Sequence, residues 1–270
     1  MRIINSEVLN FFLRFITKGH ERSVKAKKNI VSSLLIKGVS IAISFVTLPL
    51  TLNYVDASTY GVWLTMSSIV GWFAFFDIGL TQGLRNRFAE AKAKGDVKLA
   101  RIYVSTTYAI LGMIFTLVWV AFIIANQFID WSRLLNVSES LRPDVTKLAV
   151  IVFTYFCISF VFRIITTILL ADQFPAKSSL IDLFGQIIAL VIIIILVKTT
   201  EGSLVKLGLT FCSSPLVVLI GANFIFFNGK YKQYSPSLSF VRFSYAKDLL
   251  NLGVKFFIIQ LAAIIQYQTA

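Results

Sequence analysis

The sequence predicts an all-α polytopic integral membrane protein, and three observations carry that prediction. Hydrophobic residues fill 57% of the 270 positions and charged residues only 14%, where soluble domains carry about 25% charged residues. The mean hydropathy is +0.79. The apolar residues fall in continuous runs of the ~20 residues a helix needs to cross a bilayer. A membrane β-barrel would instead show alternating segments of ~10 residues.

The chain opens with an amphipathic, basic segment over residues 1–28. Ile3, Ile4, Val8, Leu9, Phe11, Phe12, Phe15 and Ile16 alternate with polar positions and lead into Arg14, Lys18, Arg22, Lys25, Lys27 and Lys28. Arg14 interrupts the apolar stretch and no small-residue cleavage site follows, so a signal peptide fits poorly. A helix lying on the inner membrane face fits better.

Seven spans follow by the ~20-residue rule. They cover about Ile30–Tyr54, Gly61–Arg85, Leu99–Ala125, Val145–Leu170, Ser178–Val197 and Ser203–Phe227, and a seventh begins near Lys247 and still runs at Ala270. This divides the chain into the segment 1–28, a six-helix transmembrane lobe at 29–227, a cytoplasmic linker at 228–246, and the incomplete seventh helix at 247–270. A chain that ends inside a helix reads as the front part of a longer protein.

Lys and Arg number 26 against 13 Asp and Glu, for a net charge of +13. They gather in alternate loops: the N-terminal cluster, then Arg85 to Arg101, Lys177, and Lys230 to Lys247. Cytoplasmic loops collect such residues, so the N-terminus is expected on the cytoplasmic side, with odd-numbered spans running outward. The charge also suits anionic headgroups. No basic-aromatic module or zinc spacing points to nucleic acid.

Two connections carry local chemistry. In "EAKAKGDVKLAR", Glu90 and Lys94 are four apart on a helix, Gly95 can end it, and Asp96 can cap the next. In "NQFIDWSRLLNVSESLRPD", Trp131 is placed to sit in the membrane interface.

Five ionisable residues fall within the spans: Lys37, Asp77, Arg163, Asp182 and Lys255. A charge at the bilayer centre costs roughly 2.5–3.5 kcal/mol, so it needs a partner or a wet cavity. At about 1.5 Å rise per residue, Lys37 and Asp77 reach about 12 Å from the inner end, and Arg163 and Lys255 about 10 Å. Asp182 is shallower and can cap a helix or snorkel. Lys37 and Asp77 are expected to pair on adjacent spans. Arg163 and Lys255 then face an inner cavity suited to phosphate, with Arg163 offering bidentate geometry. Lys37 is shallow enough to snorkel instead, and Asp77 can serve as a coupling acid or only pack. Gly79 and Gly83 make a small-xxx-small packing face beside Gly71, and Pro49 and Pro215 are candidate kinks. Cys157 and Cys212 lie in apolar runs and read as packing residues. With His20 the sole histidine, no metal site is expected. No Walker, HExxH or GxSxG motif appears, so neither an enzyme nor a cofactor is expected.

At this point the residues resemble a family. A basic N-terminus precedes span one, "YGVW" opens span two, and "FFDIGLTQGLRNR" and the "AKGD" turn follow. The stretch over about residues 29–125 resembles the opening of a bacterial O-antigen or capsule polysaccharide flippase. These are the Wzx-type members of the multidrug/oligosaccharidyl-lipid/polysaccharide exporter superfamily. The resemblance implies 12 to 14 spans in two six-helix lobes working by alternating access. It implies an undecaprenyl-pyrophosphate-linked oligosaccharide as substrate, and membrane lipids, a polysaccharide polymerase and a chain-length regulator as partners. The family's cationic cavity maps here onto Lys37, Arg163 and Lys255. Two alternatives stand beside it: a sodium- or proton-coupled multidrug or metabolite exporter, for which Asp77 is the coupling acid, and a non-transporting scaffold of a glycan assembly machine.

Overall fold

The structure is a computed structural model and describes residues 21–73 and 79–251. Among these residues all regular structure is helical. Helix α1 covers Glu21–Tyr54, α2 Ala57–Phe73, α3 Leu80–Ala93, α4 Val97–Asn126, the short α5 Trp131–Leu134, α6 Arg142–Phe162, α7 Ile164–Ala171, α8 Pro175–Thr199 and α9 Leu204–Asn228. Three 3-10 turns then lead to a helix that starts at residue 246.

Among the described residues, five segments are long and apolar enough to cross a membrane: Lys27–Tyr54, Val97–Asn126, Glu139–Ala171, Pro175–Thr199 and Leu204–Asn228. Their outward faces are apolar. Leu35, Phe45, Leu117 and Phe224 are each two-thirds exposed or more, an arrangement suited to lipid rather than water. Residues 21–28 continue α1 rather than forming a separate segment. The rest of the amphipathic N-terminus, Asp77, Lys255 and most of the seventh span lie outside the described residues.

The helices alternate in direction. At one end, the Asn29 amide donates to the Gln173 carbonyl at 3.1 Å, and the Ser33 and Ser179 hydroxyls meet at 3.0 Å. At the other, the Tyr54 and Thr200 hydroxyls meet at 3.0 Å. α1 and α8 therefore run parallel, as spans one and five should if every span reverses direction. Gly202 makes the second end possible, because a Cβ there would overlap the Tyr54 carbonyl oxygen.

The "EAKAKGDVKLAR" turn follows its sequence. Lys94 reaches Glu90 at 2.7 Å. Gly95 takes a left-handed φ of 75°, and the Asp96 carboxylate accepts from the Leu99 N–H at 2.9 Å.

Two expected spans are broken instead of continuous. The second is interrupted at Gly79, which stands at the head of α3 with φ 68°. Gly79 is thus a left-handed start, a conformation a Cβ disfavours, and not part of a helical packing stripe. At Gly83 a Cβ would overlap the Leu249 carbonyl oxygen. The fourth span breaks at Arg163, between α6 and α7. Asn223 of α9 donates to the Phe162 carbonyl at 2.8 Å. The Thr166 N–H turns instead to the Arg163 carbonyl, three residues back, at 2.9 Å, the tightened pattern that interrupts an α-helix. Trp131 also departs from expectation. It is buried, donates to Asn126 at 2.7 Å and packs on Phe122, so it serves the core and not the interface.

The core lies where α3, α4, α6 and α7 meet, around Leu84, Phe88, Val104, Leu148, Ile165 and Ile168. An aromatic seam joins α4 to α6, with Phe122 stacked on Phe153 at 3.8 Å between ring centres. Cys157 and Cys212 are free and buried, as packing residues should be. Gly185 lets Pro215 approach, since a Cβ would lie 2.8 Å from the Pro215 Cα.

Candidate functional site

Breaking the fourth span has a consequence for Arg163. The residue keeps helical dihedrals where the hydrogen-bond ladder is interrupted, and its guanidinium enters a cleft between α1, α2, α6, α8 and α9. The cleft has a volume of about 750 Å³, within the ~300–1,000 Å³ of small-ligand sites. Asp182 of α8 faces Arg163 across it at 4.0 Å, and both side chains are more than half exposed, 56% and 57%. A pair this long and this exposed is weakly held, so either partner can leave the other for a ligand at small cost.

The walls are of two kinds. Ser44, Thr47 and Thr51 of α1 give a hydroxyl stripe. Each of the three donates to the carbonyl four residues back, at 2.8–3.0 Å, which leaves their oxygens as acceptors toward the cleft. Opposite stands an aromatic wall: Tyr60 and Trp63 of α2, Tyr155 of α6 and Phe211 of α9. Trp63 and Phe211 stack at 5.3 Å between ring centres. Gln186, one turn beyond Asp182, brings a carboxamide whose buried Oε1 has no hydrogen-bond partner in the protein. A cation, an acid, hydroxyls and flat rings thus share one space among lipid-facing helices.

The anchor behind Arg163 is Asn223. Its amide donates to the Phe162 and Leu219 carbonyls, each at 2.8 Å, and accepts from the Tyr108 hydroxyl at 2.5 Å. One buried side chain therefore ties α4, α6 and α9 at the break that aims Arg163.

Of the residues singled out by sequence, Arg163 and Asp182 come together. Lys37 is exposed on α1. Ser33 and Ser179 touch, and Lys37 and Asp182 each lie about one turn further along these parallel helices, so they share a level. The expected Lys37–Asp77 pair and the place of Lys255 lie outside the described residues. Sequence reasoning gave Asp182 only a capping or snorkelling role and did not find Gln186 or the aromatic wall. Only the spacing of Asp182 and Gln186, four apart on one helical face, hinted at them.

Compared with known protein families, curated proteins and solved structures, the chain matches none.

Proposed function

We propose that this protein is a membrane transporter that moves an anionic, lipid-linked glycan precursor from the inner to the outer leaflet of a bacterial cytoplasmic membrane. The observation that carries this reading is the cleft holding Arg163. Its guanidinium can take a phosphate or pyrophosphate bidentately. The loose Asp182 contact keeps the guanidinium in place while the cleft is empty and yields when a phosphate arrives. The aromatic wall and the hydroxyl stripe supply a flat apolar surface and hydrogen-bond acceptors, the combination a sugar can use beside its phosphate. The resemblance over residues 29–125 agrees with this chemistry and names the substrate class as undecaprenyl-pyrophosphate-linked oligosaccharide.

In this reading the N-terminus is cytoplasmic, and the substrate enters from the end that collects the basic residues. Lys37 shares the level of Asp182 and would meet the headgroup on its way in. Asp182 favours a second reading, an ion-coupled exporter in which this acid takes a proton or sodium ion as Arg163 is released.

The test uses cells that lack their own polysaccharide flippase and make the cognate glycan. Wild type, Arg163→Ala and Asp182→Asn are compared at matched expression. The expected result is surface glycan with wild type and precursor trapped on the inner leaflet with Arg163→Ala. Failure of wild type to move the cognate glycan would reject the flippase reading and leave the ion-coupled exporter.

A further inference from the structure

A second charged cluster lies at the basic end, away from the cleft. Asp172 closes the turn between α7 and α8 and gathers partners from distant parts of the chain. Lys92, in the last turn of α3, pairs with its Oδ1. Lys230, just beyond α9, pairs with its Oδ2 at 2.6 Å, and the Tyr231 hydroxyl donates to the same oxygen at 2.7 Å. Lys177, in the first turn of α8, completes the group. The Lys177 and Lys230 ammonium groups lie 5.0 Å and 3.6 Å from the centre of the Phe174 ring, so they are close neighbours. Two cations thus pair with one carboxylate and a third stands beside them, and the cluster keeps a surplus of positive charge.

That surplus is felt by its members. Burial pushes the Lys230 ammonium below the usual lysine range, Asp172 opposes this, and the charges of Lys92 and Lys177 add to the depression. A further anion would relieve it. Access is open, because Lys177 and Lys230 are both exposed.

Position names the anion. Asp172, Lys177 and Lys230 sit at the ends of long apolar helices, the depth at which a bilayer places its phosphates. Near the end of α9, Phe224 and Ile225 are 73% and 68% exposed. A cationic group at the end of an apolar helix with exposed apolar side chains suits a phosphate headgroup whose acyl chains lie along the bundle.

We infer that Lys177 and Lys230, buttressed by Lys92 and Asp172, form a binding site for the phosphate of an anionic phospholipid. The site requires the bundle to sit in a membrane, but it does not depend on transport or on the nature of the transported substrate.

The test is native mass spectrometry of the full chain from micelles doped equally with phosphatidylglycerol and phosphatidylcholine. Wild type should retain phosphatidylglycerol preferentially. Lys177→Gln spares every contact to Asp172 and should weaken that retention by about fivefold, since a basic residue near a membrane surface is worth about that factor. Lys198→Gln, at the opposite end of α8, should leave it unchanged. Circular dichroism checks that both variants are folded. Equal retention of the two lipids, or no change with Lys177→Gln, would overturn the proposal. An added arm with millimolar inorganic phosphate separates the sources. If free phosphate displaces phosphatidylglycerol at parity, the site takes soluble phosphate and the lipid assignment is wrong.

Discussion

Replacing Asn223 by Ala tests how the break beneath Arg163 is held. The amide makes two donor contacts of 2.8 Å and accepts one of 2.5 Å from Tyr108. Alanine leaves the Phe162 carbonyl and the Tyr108 hydroxyl without these partners. The Leu219 carbonyl loses only a contact from within its own helix. In soluble proteins each buried orphan costs ~1–3 kcal/mol. In membranes the measured value of an interhelical hydrogen bond averages ~0.6 and reaches ~1.7 kcal/mol, because the unfolded chain also finds partners. Two lost interhelical bonds therefore predict about 1–3 kcal/mol for Asn223→Ala. Tyr108→Phe removes one of the same bonds, so the double variant should show a coupling of about 0.6–1.7 kcal/mol. SDS-induced unfolding in mixed micelles, followed by circular dichroism, measures all three variants. A coupling indistinguishable from zero would refute the argument that this bond joins α4 to α9. An Asn223→Ala variant as stable as wild type would refute the larger claim that Asn223 holds the break.

Other predictions follow from single contacts. Gly83→Ala and Gly202→Ala should each destabilise the fold by about 1–3 kcal/mol in the same assay, the usual range for overpacking. In both a new Cβ meets backbone rather than a movable side chain. Asp172 should give an acid-side dependence. Burial raises its pKa, but hydrogen bonds from Lys230, Lys92 and Tyr231 outweigh this and hold the carboxylate below its ordinary value. Its contribution should thus be complete above the unfolded value of about 3.9 and fade as pH falls through the lower folded value. Asp172→Asn should remove that part of the acid transition in a pH series of unfolding curves. Cys157 and Cys212 are buried and free, so neither should react with a water-soluble maleimide until the protein is unfolded.

Local rules of the chain explain what could be read in advance. Apolar runs located the long helices to within a few residues. Gly95 and Asp96 marked a turn because a left-handed glycine and a capping carboxylate act within one or two residues of themselves. Arg163 stood out because a cation deep in an apolar run has few places to go. The two breaks were hidden for an opposite reason. The break at Arg163 depends on Asn223, 60 positions away in the sequence, whose amide takes a carbonyl from a helix that is otherwise apolar and regular. Trp131 followed the composition rule for interfaces but found Asn126 and Phe122 first. Asp182 looked like a helix-end acid until α8 packed beside the break. The cluster at Asp172 joins three separate stretches of chain, and nothing near "LLADQFPAK" announces that lysines 92 and 230 will meet there.

The central claim is that Arg163 points into water inside a bundle whose outer surface meets lipid. The most direct measurement places single cysteines at Arg163 and at Phe184 in a Cys157→Ala, Cys212→Ala background, with the protein in sealed membrane vesicles. Each is then reacted with a membrane-impermeant maleimide from either side. The account predicts fast modification of Arg163→Cys from one side, and almost none of Phe184→Cys on the outward face of α8. If Arg163→Cys proves as unreactive as Phe184→Cys, the cleft is not a wet cavity and the transport reading fails with it.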